Sequence, residues 1–290
     1  MRKLLVFCTL LLSFSVSAAE RIKVVTSFSI LADITRNIGG DYIELSNIVG
    51  PDGDAHVYEV TPKDARKVQD ANLIIENGLH FEPWLDRLVA STETAATVIK
   101  ASNGVIPRSL EEDGETIPDP HAWNNLANAT IYAANITKAL MEADRAHAAQ
   151  YQHNHDVYLK KIKALLVHVD KTFHNLPAGN RRIVTSHDAF GYMGQAYGIQ
   201  FIAPQGLSTE REPSAAEVAA LIRQIRQDKI KAVFVENIKD ARLLKQIAEE
   251  SGAHIGGTLY SDALAAEGPA STYLGLYKSN VDTLDKALRR

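Results

Sequence analysis

Residues 145–176 read RAHAAQYQHNHDVYLKKIKALLVHVDKTFHNL. The stretch contains no proline and no glycine, and alanine, leucine and lysine dominate it, all good helix formers. Pro177 and Gly179 follow and stop it. The reading is one helix from Arg145 to Leu176 of about thirty residues, roughly 45 Å long at 1.5 Å per residue. A helix of that length overruns a single small lobe, so it is expected to join two. Its histidines, His147, His153, His155, His168 and His174, are spread around the helix and are expected to be solvated. His155 with Asp156 could at most hold an adventitious ion.

Upstream, strand-like and helix-like segments alternate. Ile22 to Phe28, Tyr42 to Val49, Asn72 to Gly78 and Thr97 to Lys100 read as strands, with helices at Ile30 to Ile38, Pro62 to Ala71 and Trp84 to Ala90. Residues 103–120 read as an acidic loop with glycine and proline, and Asn125 to Met141 as a helix. Downstream the alternation resumes. Strands are expected over 182–186, 199–203, 232–236 and 254–259, and helices over 189–197, 214–227, 241–251 and 273–288. Gly252 closes the third of these helices. Strands alternating with helices imply parallel βα units. The expected fold is therefore α/β, with two similar lobes joined by one long rigid helix. Each lobe is a four-stranded, mainly parallel sheet flanked by helices. The expected boundaries are 1–19 for a signal peptide, 20–143 for an N-terminal lobe, 144–177 for the linking helix and 178–290 for a C-terminal lobe.

The signal peptide follows from a basic start at Arg2-Lys3, an apolar run from Leu4 to Leu12 and the small residues Ser17-Ala18-Ala19. The run is too short to span a bilayer. Cleavage before Glu20 would leave 290 − 19 = 271 residues, large for one core. It would also remove the only cysteine, Cys8, leaving no disulfide and no thiolate metal site. Phe7 is not the small residue that a lipid-anchored cysteine needs before it, so a free periplasmic chain is expected. Loss of Arg2 and Lys3 takes the net charge from −4 to −6, which argues against a nucleic-acid partner.

Four segments carry candidate chemistry: Gly53-Asp54-Ala55-His56-Val57-Tyr58-Glu59, Asp119-Pro120-His121-Ala122-Trp123, Thr185-Ser186-His187-Asp188 and Tyr260-Ser261-Asp262-Ala263-Leu264. Each places a possible metal ligand beyond the C-terminal end of a predicted strand, the edge at which open α/β sheets bind ligands. The intervals His56→His121→His187→Asp262 are 65, 66 and 75 residues, so each half of the chain supplies two. Facing lobes would gather all four. Three neutral imidazoles and one carboxylate form an N3O set that suits zinc. Taken singly, each histidine reads as a surface or capping residue and Asp262 as a helix N-cap.

The run from Asp54 to Pro62, together with Asp119-Pro120-His121 and Trp123, resembles the zinc/manganese solute-binding proteins of bacterial ABC transporters, the ZnuA/TroA-like family. Asn77-Gly78-Leu79, Phe81-Glu82-Pro83-Trp84, His187-Asp188-Ala189-Phe190, Tyr192 and the tail Tyr260 to Leu264 with Tyr273 and Asn280 resemble it too. The resemblance covers the mature chain. It implies two α/β lobes on a rigid backbone helix, metal ligands at His56, His121, His187 and Asp262, and delivery to an inner-membrane ABC permease. A periplasmic metallochaperone is a possible donor, and the carrier is expected to be a monomer. The third ligand is histidine in many zinc binders and some mixed-metal members of the family and glutamate in many manganese binders, so His187 points to Zn2+, with Mn2+ or Fe2+ as the alternative. Many zinc-specific members carry a long loop rich in histidine and aspartate, whereas residues 103–120 have no histidine.

A zinc-dependent hydrolase is the rival class, but catalytic zinc keeps an open position, and no His-Glu-x-x-His, nucleophile elbow or phosphate loop is present. The chain is therefore read as a carrier and not an enzyme. A surface adhesin is a third class, disfavoured by Phe7. Of the remaining residues, His80 reads as an ordinary loop histidine or one near the cleft mouth, Glu59 as a surface charge or a hydrogen-bonding support for His56, and Trp123 as packing over His121.

Overall fold

The structure is a computed structural model that describes residues 21–112, 115–177, 181–207 and 209–289. The expected signal peptide, residues 1–19, lies outside the described residues.

Two parallel sheets form the frame. The first contains β1 (Ile22–Phe28), β2 (Ile43–Val49), β3 (Leu73–Glu76) and β4 (Thr97–Lys100) in the order β2-β1-β3-β4. The second contains β7 (Arg182–Val184), β8 (Gln200–Ile202), β9 (Ala232–Glu236) and β10 (His254–Leu259). Its order, β8-β7-β9-β10, repeats the first. In each sheet the chain steps outward by one strand and then crosses back, which opens a crevice at the carboxyl ends of the strands where the order reverses. The central strands are buried on both faces and read as unbroken apolar runs: Leu73, Ile74 and Ile75 in β3, and Ala232, Val233 and Phe234 in β9. The edge strand β4 is largely exposed.

Helices cover the sheets. α1 (Ser29–Gly39) buries Ile30, Leu31, Ile34 and Ile38, one face at helical spacing. α2 (Pro62–Gln69) starts on a capping box in which Thr61 and Asp64 satisfy each other's backbone N–H groups, and α7 (Ala215–Gln227) repeats the device with Ser214 and Glu217. α3 (Pro83–Thr92), α4 (Asn128–Ala143), α6 (Gly191–Tyr197), α8 (Arg242–Ser251) and α9 (Tyr273–Leu288) complete the layers. Gly252 ends α8 at φ +83°, a left-handed conformation that costs glycine little.

The linking helix α5 (Ala148–His174) is 27 residues long, about 40 Å. It is shorter than the sequence suggests, because Arg145–His147 form a 3₁₀ turn. Asp144 holds this turn: its Oδ2 accepts from the Tyr151 hydroxyl at 2.8 Å and lies 2.6 Å from His147 Nδ1. At the other end the Arg181 guanidinium donates to the carbonyls of Phe173 and Leu176, a cation placed on the negative end of the helix dipole. The buried residues are Tyr151, Tyr158, Ile162, Val169 and Phe173, spaced 7, 4, 7 and 4 apart. That is eleven residues per three turns, close to the natural helical period, so the apolar stripe runs almost straight along the helix. Along it α5 packs on α1 and α4 from the first half and on α9 from the second. His153, His168 and His174 are exposed, while His147 and His155 are half-buried.

The expected loop at 103–120 contains an antiparallel hairpin, β5 (Ser109–Glu112) with β6 (Glu115–Pro118). Its glutamates have low strand propensity and hide the pattern. The Asp113-Gly114 dipeptide, a favoured hairpin turn, was the available cue.

Glu82 is buried at the start of α3, where one oxygen accepts from the Ser27 hydroxyl and the Asn77 backbone. Burial dominates those bonds and pushes its pKa from 4.5 up to about 8. The folded chain then keeps a proton that the unfolded chain loses, so stability falls as pH rises from 4.5 to about 8. Glu82→Gln retains the acceptor oxygen and removes the titration. Urea unfolding of the metal-free protein should find the variant more stable than wild type at pH 8, with the gap closing toward pH 4.5. An equal gap at both pH values would contradict this.

Candidate metal centre

The four sequence-derived residues meet between the two sheets. His56 lies in the loop after β2, His121 beyond the hairpin that follows β4, His187 after β7 and Asp262 after β10. One donor atom from each falls within 4.8 Å of all the others. His56 Nε2 is 3.2 Å from His121 Nε2 and 3.3 Å from Asp262 Oδ2, and His187 Nε2 is 3.0 Å from Asp262 Oδ2. His121, His187 and Asp262 are fully buried, and His56 is 8% exposed.

The electrostatics are those of a crowded, dry site. Burial opposes ionisation of Asp262, but the His187 and His121 imidazoles outweigh it and hold the carboxyl well below its usual range. Burial also works against a charged His187. The carboxylates of Glu236 and Asp262 outweigh that and hold its pKa well above the ordinary value. For His56 burial wins, and its pKa is lowered. Among the described residues, neither oxygen of Asp262 and neither ring nitrogen of His187 meets full hydrogen-bond geometry, although His187 Nε2 lies 3.0 Å from Asp262 Oδ2. Buried polar atoms left in that state are costly unless something else engages them. A divalent cation coordinated by three imidazoles and the carboxylate would do so, and would leave one net positive charge.

Each of the three histidines is supported from behind. Asp119 Oδ1 accepts from the His121 backbone at 2.9 Å and lies 2.9 Å from its Nδ1, while the Arg108 guanidinium holds the other Asp119 oxygen. Glu236, the last residue of β9, receives the backbone N–H groups of Ser186 and His187 on Oε1 and sets Oε2 2.7 Å from His187 Nδ1. Carboxylates on the far ring nitrogen fix the tautomer and aim Nε2 at the site. Asp54 Oδ1 accepts from the His56 backbone at 3.0 Å. Glu59 is exposed, which matches its reading as a surface charge, and Asp54 is the residue that bonds the backbone of that loop. The Trp123 ring lies 5.3 Å from the His121 ring, as expected, and its Nε1 also donates to Ser261 O across the cleft at 2.7 Å. The roles of Asp119 and Glu236 are absent from the sequence reading.

The loop bearing His56 is tied to the opposite half. Asp54 Oδ2 accepts from the Thr209 hydroxyl at 2.7 Å and lies 3.6 Å from Lys239 Nζ. Asp52 accepts from the Asn237 amide at 2.8 Å and donates its backbone N–H to Leu264 O at 2.9 Å. Tyr192 ties the hairpin from the second half, donating to Asp119 O at 2.9 Å.

The profile of the family described as "Zinc-uptake complex component A periplasmic" matches residues 24–287. The chain belongs to this zinc-uptake component A family. Its members include solute-binding proteins of metal ABC transporters, which work with membrane permease and ATPase components. The chain is 38% identical over 270 residues to the iron-binding protein YfeA of Yersinia pestis, covering 92% of this chain and 86% of the relative. It is 36% identical over 284 residues to the manganese ABC transporter substrate-binding lipoprotein PsaA of Streptococcus pneumoniae, covering 95% and 92%. The periplasmic zinc-binding protein TroA of Treponema pallidum superposes with a TM-score of 0.88 at 30% identity, covering 93% of this chain and all of that one. This member of the zinc-uptake family is accordingly a metal-binding, substrate-binding protein of an ABC transporter.

Glu236→Gln keeps the acceptor for the Ser186 and His187 backbones but offers His187 Nδ1 an amide in place of a carboxylate. It should weaken zinc binding about 10- to 100-fold in chelator competition. An unchanged affinity would remove Glu236 from the support of the site.

Proposed function

We propose that the chain captures one zinc ion in the periplasm through His56, His121, His187 and Asp262 and delivers it to an inner-membrane ABC permease. The convergence of those four buried side chains, with one donor atom from each within 4.8 Å of all the others, is the observation that carries this reading. Three imidazoles and one carboxylate favour zinc, while manganese is better served by harder, oxygen-rich sets. The names of YfeA and PsaA favour a second reading, iron or manganese as the cargo of the same site. Four protein ligands leave no open position for a catalytic water, which supports a carrier over a hydrolase.

The proposal includes export through a signal peptide at 1–19. The working units are lobes at 20–143 and 178–290 on a helix at 144–177. The carrier acts as a monomer, and a periplasmic metallochaperone is a candidate donor.

Elemental analysis of the chain purified from periplasm should find one zinc per molecule, and equimolar manganese should fail to displace it. Alanine at any one of the four ligands removes about a quarter of a binding energy on the order of 10 kcal/mol. That corresponds to a loss on the order of a hundredfold in Kd. Two single variants binding zinc like wild type would refute the ligand set, and retention of manganese against zinc would favour the second reading.

A further inference from the structure

Three of the four ligands are sealed, and only His56 retains any exposure. It forms part of the wall of a cavity of about 190 Å³ that opens to the surface. Phe81, Ile117 and Leu207 supply apolar wall, and His80 and Glu210 supply polar groups. At about 30 Å³ per water this volume holds roughly six, the size of a hydrated divalent ion. The hairpin and the second half of the chain both contribute to the wall, so the cavity lies along the seam between the halves.

The position of His80 is imposed by a strained turn. Gly78, Leu79 and His80 take φ +82°, +55° and +60° in succession. Left-handed backbone is cheap for glycine, but costs on the order of 1 kcal/mol or more at Leu79 and at His80. The buried groups beneath hold the turn: Phe81 N donates to Gly78 O at 3.2 Å, the Asn77 amide donates to Gly78 O at 2.8 Å, and Glu82 receives the Asn77 N–H. The result is an exposed imidazole on the wall of a largely apolar cavity that reaches a proposed ligand. A partly dehydrated cation cannot cross apolar wall unaided, because each water it sheds must be replaced by another donor. Imidazole is the donor that suits zinc.

We propose that zinc enters and leaves the buried site through this cavity, with His80 as a transient ligand that takes the place of one water before the ion passes to His56. This rests on the four-residue site proposed above. His80 then belongs to the path and not to the bound state. A group of that kind alters the barrier in both directions equally and leaves the end states untouched.

The test uses the full mature chain in stopped flow, with zinc as the probe. Zinc association is followed directly, and dissociation by mixing the loaded protein with excess chromogenic chelator. His80→Asn keeps a residue that tolerates left-handed backbone while removing the imidazole. Leu207→Trp narrows the cavity. Each variant should slow association and dissociation by the same factor, roughly tenfold, with Kd unchanged. Wild-type rates in both variants, or a Kd shift carried by dissociation alone, would overturn the proposal. Absence of tight zinc binding by the wild-type chain would instead refute the site on which it rests.

Discussion

A carboxylate sealed among three imidazoles, with His187 Nε2 at 3.0 Å and His56 Nε2 at 3.3 Å, is the constraint around which this molecule is arranged. Removing such a group from water costs several kcal/mol even after relaxation, and attraction to a cationic imidazole offsets only part of that. Asp262 and His187 answer it together: their mutual attraction, with Glu236 beside His187, holds the acid's pKa down and the base's up. A dication bound there would engage all four donors at once. The far-side carboxylates Asp119 and Glu236 then act as aiming devices, because an imidazole that cannot rotate presents its lone pair in one direction only.

Such a site can be assembled between two lobes only if their spacing is fixed. The straight apolar stripe on α5 packs against helices from both halves, and the helix has no interior proline or glycine at which to kink. The contacts that close over the ligands are of a different kind: single polar bonds from Asp52, Asp54, Trp123 and Tyr192 to the opposite half. Individually these bonds are worth on the order of 1 kcal/mol, far less than the helix packing. Opening is therefore expected at the loops, by breaking a few hydrogen bonds, while α5 stays intact. That separation lets a carrier hold its ion tightly and still surrender it when a permease pulls on one face.

Much of this was legible in the sequence. All eight parallel strands were legible, the central ones as apolar runs such as Leu73, Ile74 and Ile75 in β3, and the edge strands through their place in the strand–helix alternation. The four candidate ligands stood out because each lies in a loop beyond a strand, His121 after the hairpin that follows β4. Where reading failed, local chemistry was ambiguous. The segment at 109–118 carries three glutamates, an aspartate, a glycine and a proline, a composition that resembles a solvated loop. Glu236 looks like the polar end of a strand, and its partner His187 lies 49 residues upstream with no spacing rule to join them. Glu59 read as either a surface charge or a support for His56; a loop side chain three residues away points where the turn directs it, and Asp54 is the one turned inward. The 3₁₀ turn at 145–147 depends on the Asp144 bonds to His147 and Tyr151, which composition does not reveal.

The most direct measurement is X-ray absorption at the zinc edge of the loaded, mature protein in solution. The account predicts four-coordinate zinc with imidazole nitrogens at about 2.0–2.1 Å and carboxylate oxygen at about 2.0–2.2 Å, with the multiple scattering of three imidazole rings. A six-coordinate, oxygen-dominated shell with fewer than three imidazoles would contradict it.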